Sequence, residues 1–98
     1  MLAGTVLFTK HALMNILFEA DRPTEDDIAA AVCEPVAEVQ EDYPDDTPFP
    51  SCLVWSVVAV RYIHVVSTYP PNPVHIITAY WPDTESWKWA DNEYRVRA

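Results

Sequence analysis

The sequence predicts a single α+β domain, with two N-terminal helices packed on one face of an antiparallel sheet of about four strands. Three observations carry that prediction. Two early segments, KHALMNILFEA and DRPTEDDIAAAVCEP, place apolar residues at helical spacing. The second half holds three β-rich runs, CLVWSVVAV, RYIHVVSTY and VHIITAYW, preceded by the alternating VAEVQEDY. The chain has 98 residues, half of them apolar, which is room for one core and not two. Helices followed by a run of strands segregate to one sheet face. Residues 1–98 therefore read as one domain with no repeat and no linker.

Residues 2 to 8, LAGTVLF, suit a short strand or an extended arm leading into the first helix. Thr9 can cap that helix, with Leu13, Ile16 and Leu17 facing the core. His11, Asn15 and Glu19 recur at i, i+4 and i+8 and share its polar side. The second helix starts at Thr24, whose first turn carries Glu25, Asp26 and Asp27 where the helix dipole favours acids. Asp27 completes a weak capping box, Ile28, Ala31 and Val32 form the apolar stripe, and Pro35 ends the helix.

PDDTPFPS reads as the loop after the first meander strand, and YPPNP as a hairpin break between the last two. Between Val57 and Tyr62 there is no turn signal, because SVVAVRY lacks Gly, Pro, Asn and Asp. Either a tight turn is built from poor turn residues, or one long strand bends through a bulge. A poor hairpin also favours exchange of a strand between two chains, so a swapped homodimer is one expectation. Residues 88–98 form a C-terminal tail that ends basic, after a stop at PDTESW in which Trp87 packs back as an anchor.

Residues 19 to 46 hold eleven carboxylates against one base, Arg22, and the whole chain carries a net charge of −9. Such a surface keeps a protein soluble or receives a basic partner, and it disfavours RNA and other phosphate backbones. Cys33 and Cys52 make neither a CxxC pair nor a disulfide framework. No stretch approaches the ~20 apolar residues of a membrane span, and MLAGTVLFTK lacks the features of a signal peptide. A cytoplasmic protein with reduced thiols is expected.

The order KHAL…PTEDDI…EDYPDDTPFPSCLV…RYIHVV…IITAYWPDTESW, over residues 9 to 87, resembles the family catalogued as domain of unknown function 4258. Members of that family look like relatives of the small RelE-type and barnase–EndoU–colicin-type ribonuclease fold, discussed with toxin–antitoxin systems. The resemblance implies a curved sheet whose helix-free face is a substrate cleft, and an antitoxin or other protein as partner. The chain departs from the family pattern in two places. WSVVAVRY stands where glycine-containing turns are usual, and an arginine late in the first helix is missing, with Arg22 lying beyond it.

Strand alternation gives that cleft its residues. If Ile63, Val65, Ile77 and Ala79 pack under the helices, then His64, Thr68, Thr78 and Tyr80 line the open face, together with Val74 and Ile76. Metal-free RNA cleavage needs a base for the 2′-hydroxyl, an acid for the leaving oxygen and cations for the phosphate. His11 and His64 are the candidate acid–base pair, with Tyr80 as hydrogen-bond donor or stacking surface. Arg61, Arg95 and Arg97, with Thr68 and Thr78, are the candidate substrate-binding residues. A strand histidine can equally be a satisfied structural group, His11 an exposed or capping one, and the basic tail a frayed end. His11, His64, His75 and a cysteine show no zinc-ligand spacing, and a single glycine, Gly4, rules out a Gly-rich phosphate loop. No metal or cofactor is expected. Two functions follow: a metal-free ribonuclease of the toxin type, or a non-catalytic interaction module on the same fold.

Overall fold

The computed structural model describes residues 6–19, 21–45, 50–69 and 74–98. The elements run β1 (Val6–Phe8), α1 (Lys10–Phe18), α2 (Glu25–Cys33), β2 (Glu38–Tyr43), β3 (Ser51–Val58), β4 (Arg61–Thr68), β5 (Val74–Tyr80) and a 3-10 helix (Pro82–Lys88). The α+β class holds, with a correction to the sheet. It has five strands in the order β1-β5-β4-β3-β2, and it is mixed rather than antiparallel, because β1 pairs parallel with β5. Three residues suffice for that edge strand, since Val6 and Phe8 alternate onto the core and leave Leu7 exposed. The expected loop at 70–73 and residues 46–49 of PDDTPFPS lie outside the described residues, as does the start of LAGTVLF.

Both helix starts follow from their caps. Thr9 accepts from the backbone N–H of Ala12, and Thr24 and Asp27 form a complete capping box. In α2 the predicted stripe of Ile28, Ala31 and Val32 is fully buried, and α2 packs on β3 and β4. Ser56 on β3 donates to the Ala31 carbonyl at 2.9 Å, tying strand to helix. In α1 the expected stripe is rotated. Ala12 and Ile16 reach the core, whereas Leu17 is 73% exposed beside Phe18 at 76%. The helix lies along β5, and it is Ala12 and Ile16, not Leu17, that turn toward it. The shared core joins these helix residues to Cys52, Val54, Ile63, Val65, Val74, Ile76, Ala79 and Trp81.

Two irregularities reset the faces of the sheet. In β5 the register jumps from Val66 opposite Thr78 to Ser67 opposite Ile76, leaving Ile77 as an extra residue. Val74 and Ile76 therefore join Ala79 in the core, and Ile77 is only half-buried; Ala79 is where it was expected, and the assignments of Val74, Ile76 and Ile77 are reversed. In β2 the register shifts between Val39 and Glu41, with Gln40 as the extra residue. Glu38 then lies opposite Trp55 and Glu41 opposite Leu53, so both acids share one face although they are three residues apart.

The missing turn signal has a direct answer. Val58 pairs with Arg61, and the two-residue loop Ala59–Val60 has φ of 49° and 62°. That geometry matches the right-handed twist of the flanking strands and is usually made by Asn-Gly. Alanine and a β-branched valine adopt it at a cost of roughly 1–2 kcal/mol each, and Val60, 99% exposed, gains no packing to offset it. The stretch is thus a tight hairpin made from poor residues, not one bent strand.

Candidate functional site

The sheet face opposite α2 is where alternation places the aromatic and titratable residues. Trp55, His64 and Tyr80 stand in one cross-strand row, since Trp55 pairs with His64 and His64 with Tyr80. Tyr62 extends the row along β4 and packs 5.4 Å from Trp55. The expectation of an open face is corrected: the C-terminal segment folds over it. Trp89 sets its ring edge-on to His64 with centroids 4.5 Å apart, and Tyr94 packs against Tyr62. The segment doubles back on itself, with Ala90 donating to Val96 and Ala98 to Lys88, and Trp89 bridged to Arg97. Asp91 holds the reversal by accepting from the N–H groups of Arg95 and Val96.

His64 is fully buried beneath this segment, and both ring nitrogens are engaged. Nε2 lies 2.9 Å from the Tyr94 carbonyl, and Nδ1 lies 3.2 Å from the Tyr80 hydroxyl. A carbonyl only accepts, so Nε2 carries the proton, Nδ1 is the acceptor, and Tyr80 donates to it. Burial lowers the His64 pKa to about 4 and raises that of Tyr80 to about 12, so the relay is neutral at physiological pH. With Nε2 on the Tyr94 carbonyl and Nδ1 on the Tyr80 hydroxyl, neither ring nitrogen faces a position from which a substrate could take or give a proton.

The two tail arginines are held rather than frayed. Arg95 lies over the Trp55 ring at 3.6 Å and donates to Glu38 Oε2 at 2.7 Å. Arg97 lies over Trp89 at 4.8 Å and grips Glu41 through two bonds of 2.7 and 2.9 Å. Glu41 is pre-set by the Tyr43 hydroxyl at 2.6 Å, and Arg97 holds its carboxyl below the usual range. The bulge in β2 is what presents both acids to both arginines.

The remaining candidates scatter. Arg61 is tied by a bidentate pair to Asp83 and lies over Trp81, which anchors it in the fold. Thr68 accepts from the His75 backbone N–H. His11 is exposed on α1 and contacts Asn15, which in turn donates to Thr78. The chain of contacts thus joins His11 to Thr78 and, separately, His64 to Tyr80. Trp87, the expected anchor, is 71% exposed, whereas its neighbours Trp81 and Trp89 are buried. The stop at Pro82 is held by Thr84, which donates to the Trp81 carbonyl, while Asp83 is spent on Arg61. Sequence reasoning did not single out Trp55, Trp89, Glu38 or Glu41. The signal available was the Arg-x-Arg spacing of 95 and 97, which puts two cations on one side of an extended segment.

Beside this face lies a cleft of about 400 Å³ that reaches Tyr80 and Trp89. Arg22, Lys88 and Arg97 line it, each already paired, with Glu19, Glu85 and Glu41 respectively. Among the described residues no group of histidines, cysteines and carboxylates is arranged to hold a metal ion, and no helix is long and apolar enough to cross a membrane.

Fold and site together define a small α+β protein whose second sheet face is closed by its own C-terminus. The sequence profile of the family described as domain of unknown function (DUF4258) matches residues 8–81, so the chain belongs to that family. The match ends at Trp81, before the segment that covers His64. No curated protein and no solved structure matches the chain.

Proposed function

We propose that this chain is a non-catalytic protein-interaction module, with the fold of the RelE-like toxins and without their chemistry. The observation that carries the reading is His64: buried, neutral and bonded at both nitrogens, it serves as a structural joint. The charge of −9 supports a basic protein partner over RNA. Exposed Met14, Leu17 and Phe18 on α1 add apolar surface of the kind that protein contacts use. In this reading the protein acts in the cytoplasm, beside a partner of the antitoxin or adaptor type.

The second reading is the metal-free ribonuclease, and one observation favours it: Tyr80 reaches a cleft that also holds Arg22, Lys88 and Arg97. Incubation of the purified protein with mixed-sequence RNA separates the two. The module reading expects no cleavage by the protein or by His64→Gln. Cleavage by the protein that is lost in a folded His64→Gln variant would overturn it.

A further inference from the structure

The C-terminal segment occupies a surface built to hold an extended chain, and the chemistry of that surface names its guest. Two floor donors point at main-chain carbonyls: Trp55 Nε1 donates to Glu93 O at 2.8 Å, and His64 Nε2 to Tyr94 O at 2.9 Å. Two wall acids take the next alternate side chains, Glu38 holding Arg95 and Glu41 holding Arg97. Between them, Val96 turns outward and is 57% exposed. The polar recognition elements address backbone carbonyls or guanidiniums, and the one further side-chain contact is the Tyr94 ring edge-on to Tyr62. The Trp55 ring adds a face for the first guanidinium, and the hydroxyl of Tyr43 orients the carboxylate for the second.

The occupant is weakly held. Its contacts with the preceding chain are local to one short reversal: the bridge of Trp89 to Arg97 with its flanking backbone bonds, the Arg97 guanidinium over Trp89, and the N–H groups of Arg95 and Val96 on Asp91. Tyr94 sits at φ 61°, a left-handed conformation that costs a tyrosine roughly 1–2 kcal/mol. The side chains of Arg95 and Arg97 are 37% and 52% exposed, and ion pairs so exposed contribute roughly 0–1 kcal/mol each.

We propose that the Trp55–His64 face, walled by Glu38 and Glu41, is a receptor groove for an extended segment of a partner protein carrying two arginines in Arg-x-Arg spacing. The chain's own residues 93–97 fill that groove in the resting molecule and are displaced by the partner. This rests on the interaction-module reading and gives that partner its chemistry. The cis segment competes at an effective concentration in the millimolar range, so a partner must exceed it in affinity or in valency.

The test uses the full chain carrying Arg95→Ala and Arg97→Ala, which weakens the occupant and leaves the floor and walls intact. The probe is a synthetic peptide of residues 91–98, followed by the quenching of tryptophan fluorescence. The double variant is expected to bind the peptide about tenfold or more tightly than the parent chain does. Binding is expected to vanish when Glu38→Gln and Glu41→Gln are added, or when alanines replace both arginines of the peptide. Absence of binding to a folded double variant overturns the proposal, as does binding indifferent to the two acids. If the double variant does not fold, the parent chain with excess peptide replaces it. The peptide then carries a nitroxide spin label at its N-terminus. The indole N–H resonance of Trp55, which donates to Glu93 O in the resting molecule, is expected to broaden as the peptide takes the groove, and an unbroadened resonance overturns the proposal. RNA cleavage is measured separately, so failure here leaves the non-catalytic reading standing, and cleavage there would leave the groove untouched.

Discussion

At His64 one imidazole joins β4, β5 and the C-terminal segment. It donates to Tyr94 O, accepts from Tyr80 and packs against the edge of Trp89. Truncation leaves two buried polar groups unpaired and removes a packed ring, so His64→Ala is expected to lower stability by about 3 kcal/mol in urea unfolding. The same residue sets a pH dependence. An unfolded histidine takes up a proton near pH 6.5, whereas folded His64 resists it down to about 4. Between those values the unfolded state binds more protons, so stability falls as pH falls, by up to roughly 3 kcal/mol across the window. Glu41, Asp83 and Asp91, all with lowered pKa, add losses in the carboxylate range as acid is increased further. Comparing the parent with His64→Gln isolates the histidine, since the variant is expected to show a flatter profile between pH 6.5 and 4. The strand position of His64 was legible from alternation alone. Its burial was not, because that depends on a tail whose docking no local pattern announces.

The β3–β4 hairpin shows what happens when an element is dictated by its strands and not by its turn. Val54 opposite Val65 on the helix side and Trp55 opposite His64 on the other fix the register from both faces, and Ala59 and Val60 are driven into positive φ to close it. Replacing them by Asn and Gly is expected to raise stability by about 1–2 kcal/mol, read as a higher thermal midpoint with unchanged far-UV spectrum. A loss of stability would mean that the strands do not impose this turn. Relief of the same strain is what an exchanged hairpin would gain, so the Asn-Gly variant is also expected to suppress any swapped dimer seen by light scattering. α2 was readable in full from Thr24, Asp27 and its stripe. α1 was not, because Leu13, Ile16 and Leu17 fit a helical period, yet its packing against β5 selects Ala12 and Ile16. The bulge at Ile77 carried no sequence mark either, and it reversed the faces of Val74 and Ile76.

For the molecule as a whole, charge decides what can approach. With eleven carboxylates between residues 19 and 46, the protein is expected to show no retention of RNA in filter binding, even at low ionic strength. The bases outside that stretch are largely consumed within the fold: Arg61 by Asp83, Lys88 by Glu85, Arg95 by Glu38 and Arg97 by Glu41. The α+β class was legible because helices precede strands and each run keeps its period. The fifth strand was less so, since Val6–Phe8 is three residues long and takes its partner from the far end of the sequence. The closure of the second sheet face was hidden for the same reason, as Trp55 and Glu93, or Glu41 and Arg97, become neighbours only in the folded chain.

The state of His64 is where the account is most exposed, and nitrogen-detected NMR of its imidazole across pH tests it directly. The account predicts a neutral ring protonated at Nε2 throughout the neutral range, with protonation only near pH 4. A ring that titrates near 6.5 and exchanges its proton freely with solvent would contradict the structural role, and with it the non-catalytic reading.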